Sequence, residues 1–296
     1  MVNLKYVYRN ILNKTFRKHD DEKIEFRDFR PLQAMFRNYD PNAVSRTISP
    51  NDTMKGSNYL SVGASAIEVI IAACIAANLT KVSRVLDLPC GHGRVLRHLV
   101  RLFPRAEFSA CDLDADGVSF CASTFDARPI YSKEDLTTVK FDSTYDIIWV
   151  GSLFTHTSYE ITKKWLNFLS TLLSKNGIIV ATFHGRIAEE VHRLYPYTND
   201  EDWKLISADY QSKGYGYKDY HRQQLHNFIS GSYGIAIAKP HVLINILEEI
   251  PNGRIYMYQE RGWGQNHDVA VWGRPDWNDS WYERAKRATL QPRNLT

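Results

Sequence analysis

The stretch RVLDLPCGHGRVLRHL, Arg84 to Leu99, decides how the rest of the chain is read. A short apolar-rich run reaches Asp87 and Leu88, Pro89, Gly91 and Gly93 follow at alternate positions, and Val95, Leu96 and Leu99 recur at helical spacing. This predicts a buried strand over Arg84–Leu88, a glycine-bearing turn, and a helix from Gly93 to Phe103, ending before Pro104. In an open α/β sheet such a turn presents backbone N–H groups beyond the carboxyl end of a strand, where ligands sit. Proline fixes φ and lacks an N–H, so position 89 neither needs positive φ nor donates to a ligand. Cys90, Gly91 and Gly93 are then the expected close contacts.

Outward from this turn, strand and helix patterns alternate. Glu107–Leu113 reads as a strand and Asp116–Ser123 as a helix; Tyr145–Val150 is a strand, Glu160–Leu173 a helix and Gly177–Phe183 a strand. Alternation of this kind implies a parallel sheet covered on both faces. Arg254–Gln259 and Asp268–Trp272 have no helix between them, only the loop Glu260–His267, and predict a β-hairpin on the far edge. The expected fold is α/β: a Rossmann-like doubly wound sheet of about seven strands, mostly parallel, with a terminal antiparallel hairpin and helices on both faces.

Bulk properties narrow the class. With 296 residues, 44% hydrophobic and 24% charged, the chain can bury a full α/β core. Its formal charge of +4 is mildly basic, whereas a dedicated nucleic-acid binder usually shows a concentrated basic stripe, so nucleic acid is not the expected partner. Cys74, Cys90, Cys111 and Cys121 show no C-x-x-C spacing and mostly lie in apolar runs, so a reducing, cytoplasmic setting is expected. Ser61–Thr80 is apolar enough to pass a membrane-length test, but it carries Glu68, is rich in alanine and leads directly into the turn; a helix packed on the sheet explains it better.

One α/β domain over 59–275 is expected, preceded by a helical and irregular extension at 1–58, interrupted by an insertion at 186–238, and followed by a tail at 276–296. Residues 1–20 set Lys5, Arg9, Lys14, Arg17 and Lys18 against helically spaced Leu4, Val7, Ile11, Leu12 and Phe16. This basic amphipathic helix suits a membrane surface, a partner protein or the chain's own domain. The insertion repeats tyrosine beside glycine, as in KGYGYKDYHRQQ (Lys213–Gln224), and reads as a lid with flat amphipathic faces for a substrate.

Two cofactors compete for the turn. A nicotinamide dinucleotide wants G-x-G-x-x-G, and here Leu96 stands where the third glycine belongs. Read from the acid instead, Asp87-x-Pro89-x-Gly91-x-Gly93 resembles the first motif of class I S-adenosylmethionine-dependent methyltransferases, with Pro89 in place of the first glycine. Asp112, about twenty residues beyond Gly93 at the end of the second strand, has the spacing of a ribose-binding acid. Asp114 and Asp116 read as a helix cap and first turn, and Leu113 is placed to cover the adenine or simply to pack. The terminal hairpin completes the resemblance, which covers roughly Tyr59 to Pro275. It implies S-adenosyl-L-methionine held by Asp87, Pro89, Cys90, Gly91, Gly93, Asp112 and Leu113. DLPCGHGRVLR, DIIWVGSLFTH, ATFHGR and QERGWGQNHDVAVW further resemble bacterial methyltransferases of surface-polysaccharide and glycoconjugate synthesis, which implies O-methylation of a glycan or sugar-containing intermediate.

Transfer to a hydroxyl benefits from a base, and histidine is the natural one near neutral pH. His156 follows the Tyr145–Val150 strand, His184 follows Gly177–Phe183, and His267 lies in the hairpin loop; topology brings all three to one rim. Each also has a structural reading, as a helix cap or a loop hydrogen-bonding group, while His92 in the turn faces the cofactor. No H-E-x-x-H appears, and no functional metal is expected. Val150-Gly151-Ser152-Leu153 lacks the proline-rich grip of nucleic-acid amino-methyltransferases. A cofactor-binding docking module within a glycan-assembly complex, or a nicotinamide oxidoreductase, are the other readings.

Overall fold

β1 (Arg84–Leu88) is buried along almost its whole length and pairs in parallel with β2 (Glu107–Asp112) on one side and β4 (Tyr145–Val150) on the other. β3 (Arg128–Tyr131) lies outside β2, and β5 (Leu173–His184) lies beyond β4, both parallel to their neighbours. β9 (His267–Gly273) runs antiparallel to β5, and β8 (Arg254–Trp263) closes the edge. The order is β3-β2-β1-β4-β5-β9-β8, the doubly wound sheet with a terminal antiparallel pair expected from the pattern.

This computed structural model describes residues 30–221, 229 and 231–274. The chain divides into Met1–Pro31 and a compact unit, Leu32–Thr296, which carries everything below. The expected amphipathic helix at 1–20 and the tail at 276–296 lie outside the described residues.

Helices fill both faces because the parallel strands are apolar on both. α1 (Arg30–Phe36) is short; α2 (Tyr59–Ala77) packs on β5, β8, β9 and α3 (Leu96–Leu102). Gly63 makes the close approach of α2 possible, since a Cβ there would lie 2.3 Å from the Arg94 carbonyl oxygen. By length and hydropathy alone α2 could cross a membrane; Ala66, Ile67, Ile70, Ala73 and Cys74 bury one side of it. On the other face, α5 (Tyr159–Thr171) and α8 (Pro240–Glu248) pack Leu166, Leu169, Leu243 and Ile246 against Leu86, Ile148, Ile179 and Ala181. Each such fully buried aliphatic side chain contributes roughly 1.5–3 kcal/mol. α4 (Ala115–Phe125) begins at Asp114, whose carboxylate accepts from the Asp116 N–H, in keeping with its position after the second strand.

Three features differ from the expectations above. β3 carries no strand signal in the sequence: RPIY contains a proline and only two apolar residues, and forms an edge strand because β2 supplies its partner. The hairpin strands are longer than their apolar cores, so the connection shrinks to Gly264–Asn266 and His267 becomes the first residue of β9, in register with His184. Over its described residues the insertion, expected as a tyrosine-rich lid, carries regular secondary structure. It contains α6 (Ile187–Leu194), α7 (Asp200–Lys213) and an antiparallel pair, β6 (Tyr215–Asp219) with β7 (Gly234–Ala238). Ala188, Ile206, Tyr210, Ile235 and Ile237 form its own small core.

Candidate active site

The carboxyl ends of β3, β2, β1 and β4 frame a cavity of about 550 Å³. Pro89 and Gly91 from the turn, His92, Asp112 and Leu113 line it, with Ser132 and Lys133 after β3 and Ser152 and Leu153 after β4. Asn51–Met54 cover one side; Trp165, Ile229 and Tyr233 supply apolar surface.

Asp112 is held at the wall by two backbone donors. Gly91 N–H donates to Oδ2 at 2.7 Å and Asp114 N–H to Oδ1 at 3.0 Å, which fixes the carboxylate and leaves each oxygen a further lone pair for a hydroxyl. Burial raises its pKa, while the backbone donors of Asp114, Gly91 and Leu113 oppose the shift. Gly91 has φ +48° and open space where a Cβ would project, so the chain presents bare backbone to the cavity here. His92 is fixed by Asp116, Nε2 to Oδ2 at 2.8 Å.

Four of the seven expected cofactor contacts therefore line the cavity: Pro89, Gly91, Asp112 and Leu113. Asp87, Cys90 and Gly93 do not; they are buried behind the turn. The Cys90 N–H donates to the Cys111 carbonyl, and its thiol to the Gly91 carbonyl. Gly93 donates to the Cys90 carbonyl and has φ +75°, and a Cβ would meet Phe125 at 2.4 Å. Close packing and positive φ alone already require its glycine. Asp87 is 1% exposed with neither carboxylate oxygen in hydrogen-bond geometry. Burial pushes its pKa well up and Asp112 adds to this, while Arg94 and the Leu96 backbone N–H oppose it.

Sequence reasoning missed Asn51–Met54 because they sit among prolines in an irregular stretch. What holds them is also long-range. Arg97, 2% exposed, donates to the Ser45, Thr47, His92 and Gly93 carbonyls and to the Tyr59 hydroxyl. Tyr59 in turn donates to Asp52 Oδ2 at 2.6 Å. The physical wall of the cavity thus crosses the boundary expected at 58.

The three candidate histidines do come together, beside the cavity rather than on its wall. Ring centroids are 6.4 Å apart for His156 and His184, and 5.0 Å for His184 and His267. β7 fixes two of them: His156 Nδ1 donates to the Gly234 carbonyl at 2.7 Å and His184 Nδ1 to the Ala236 carbonyl at 3.1 Å. Tyr233 joins the two regions, lining the cavity while stacking on His156 at 4.5 Å. Tyr197 lies 4.8 Å from His184 and Trp263 5.0 Å from His267.

Their chemistry differs. His184 is driven well below the ordinary histidine range by burial, then by His267 and His156. His267 falls to about 3, by burial first, then His156 and Arg94. A general base works best with a pKa near the working pH, so these two are poorly suited to the role. His156 is the partly exposed member and the one in contact with Tyr233. Among the described residues, no group of His, Cys, Asp or Glu is arranged to hold a metal.

Residues 86–179 match a family described as a methyltransferase domain. A malonyl-[acyl-carrier protein] O-methyltransferase of Bacillus cytotoxicus is 28% identical over 127 residues, 40% of this chain and 41% of that protein. The corresponding Bacillus anthracis protein is 27% identical over 127 residues, 40% and 44% of the two chains. The matched region therefore spans less than half the length of these relatives. Among solved structures, an S-adenosylmethionine-dependent methyltransferase from Clostridium acetobutylicum overlaps 73% of this chain and 92% of its own with a TM-score of 0.47 at 15% identity. Magnesium protoporphyrin IX methyltransferase from Synechocystis, with bound S-adenosylhomocysteine, overlaps 91% and 99% with a TM-score of 0.47 at 13% identity. Residues 86–179 thus match a methyltransferase domain within the Rossmann-like sheet order described above, and S-adenosylmethionine is the cofactor of such a domain. The cavity fits that cofactor: a fixed carboxylate at the end of β2, bare backbone at Gly91, and an apolar cover in Leu113.

Proposed function

We propose that the chain is an S-adenosylmethionine-dependent O-methyltransferase acting on a hydroxyl of a glycan or sugar-containing intermediate. The observation that carries this reading is Tyr233, which lines the cofactor-sized cavity and stacks the face of its ring on His156. Asp112 would accept the ribose hydroxyls, Leu113 would cover the adenine, and Pro89 and Gly91 would form the turn beneath them. The cofactor supplies an electrophilic methyl group on a sulfonium. His156 Nε2 would take the acceptor's proton as the new O–CH₃ bond forms and the S–CH₃ bond breaks, so that the products are a methyl ether and S-adenosylhomocysteine.

The acceptor side supports a ring with an apolar face. Trp165, Tyr233, Leu153 and Ile229 provide flat and aliphatic surface, and His184 and His267 beyond them are neutral. This reading places the enzyme in the cytoplasm, with residues 1–20 recruiting it to the inner membrane face or to a glycan-assembly partner.

Calorimetric titration with S-adenosylhomocysteine tests the cofactor site: the wild type binds, and Asp112→Ala weakens binding at least tenfold. Methyl transfer from labelled S-adenosylmethionine to a panel of oligosaccharides and acyl thioesters tests the acceptor. Label on a sugar hydroxyl that His156→Ala abolishes, with S-adenosylhomocysteine binding retained, supports the reading. Label only on a carboxylate would overturn it.

A further inference from the structure

The matched domain does not supply the whole cavity: Asn51–Met54, Ile229 and Tyr233 lie outside residues 86–179, and among them Asp52 carries a carboxylate. Asp52 lines the cavity yet is 3% exposed, and both its oxygens are anchored. Met54 N–H donates to Oδ1 at 2.9 Å and the Tyr59 hydroxyl to Oδ2 at 2.6 Å. Neither hydrogen-bond donor is charged, and the Arg94 guanidinium interacts with the carboxylate through space. Arg97 reaches the same phenol, but its Nη2 donates to the Tyr59 oxygen at 3.2 Å and not to the carboxylate. The remaining carboxylates on the described wall sit in other networks. Asp112 is bound to two backbone N–H groups, Asp114 caps α4, and Asp116 pairs with His92 with a side chain 55% exposed. A charge fixed at low exposure acts over several ångström with little screening, whereas an exposed one does not.

We infer that Asp52 is a cofactor-selecting residue: its buried carboxylate makes the site prefer the positively charged methyl donor to the neutral thioether left after transfer. The inference rests on the cofactor reading of this cavity. Donor and product share adenosine, ribose, ammonium and carboxylate groups and differ by one methyl and one unit of charge on sulfur. Contacts to the shared parts affect both ligands alike, so a fixed negative charge on the cavity wall shows in the ratio of the two affinities. Such a charge favours binding before transfer and loosens the product after it. It also gives residues 45–59 a functional role: Arg97 and Tyr59 hold that segment against the turn and so hold the charge in place.

The test is calorimetric titration of the wild type, Asp52→Asn and Tyr59→Phe with S-adenosylmethionine and with S-adenosylhomocysteine, each at low and at moderate salt. Asp52→Asn is nearly isosteric and should reduce the donor-over-product preference by about threefold or more, the direction that removal of a fixed negative charge requires. Tyr59→Phe keeps the charge and loses one anchor, so both affinities should weaken together and the ratio should hold within twofold. An unchanged ratio in Asp52→Asn, with both ligands still bound, overturns the inference and leaves the cofactor site standing. Parallel weakening of both ligands in Asp52→Asn makes Asp52 a structural anchor only and equally overturns it. If the folded wild type binds neither ligand, the cofactor reading itself falls, a result distinct from either of these.

Discussion

Replacing Gly93 by alanine and, separately, Gly91 by alanine separates packing from ligand contact within one turn. At Gly93 the backbone has φ +75°, and an added Cβ would stand 2.4 Å from Phe125 Cε2 and 3.2 Å from Cys121 Sγ. A non-glycine residue in this region costs about 1–2 kcal/mol, and forcing an extra carbon into a packed site costs about 1–3 kcal/mol. Phe125 is pinned by its contact with Phe120 and lies beneath the Arg97 guanidinium, so it has little room to yield. The sum is a loss of about 2–5 kcal/mol, a fall in Tm of roughly 4–10 °C for a domain of this size. At Gly91 φ is +48° and nothing lies within 4 Å of where a Cβ would stand, so only the backbone cost applies, about 1–2 kcal/mol. That carbon, however, points into open space at the cavity wall. Thermal melts should therefore rank Gly93→Ala well below Gly91→Ala, while S-adenosylhomocysteine titration at a temperature where both are folded should rank them the other way. Equal melting temperatures, or a Gly91→Ala protein that binds like wild type, would refute the division of roles between the two glycines.

Further outcomes follow from the buried polar groups. Arg97→Ala strands the Ser45 and Thr47 carbonyls and the Tyr59 hydroxyl without their donor; urea unfolding should show a loss of about 3–5 kcal/mol, and Arg97→Lys should recover little because an ammonium cannot reach carbonyls on several sides. For His267, a folded pKa of about 3 lies below the unfolded value near 6.5, so the unfolded chain takes up the proton first and stability is lost as pH falls below about 6.5. The slope from this group is about 1.4 kcal/mol per pH unit, and His267→Gln should remove it; identical slopes in the two proteins between about pH 6 and 4.5 would show that His267 titrates normally. Tyr233→Ala removes the ring stacked on His156, so the His156 ring protons should move in an NMR spectrum as the ring current is lost, while Tyr233→Phe, which keeps the ring, leaves them near their wild-type positions.

Much of the molecule is legible in local pattern, and the reasons are local. The β1 turn, the strands β2 and β4 and the acid at 112 follow from apolar runs with glycine and aspartate at fixed offsets, which act through φ, burial and chain direction. The hairpin follows because two strand-like runs with no helix between them cannot pair in parallel. Asp112 shows how far this reaches: spacing alone places it at the strand end, and the structure finds its carboxylate on the cavity wall, held by Gly91.

What tertiary structure decided is which side of a wall each residue occupies. Gly93 and Cys90 have the right spacing for a ligand, but the approach of Phe125 and the pairing with Cys111 bury them. His184 and His267 share a rim with His156 through strand register, yet burial between β7, Tyr197 and Trp263 depresses their basicity, which no sequence offset encodes. β3 forms from four unpromising residues because β2 offers an open edge. Asp52 comes to the cavity through Arg97 and Tyr59, contacts between residues far apart in the chain. Local sequence sets conformational preference and periodicity, whereas desolvation and charge depend on everything that packs around a group, and those fix the chemistry of this site.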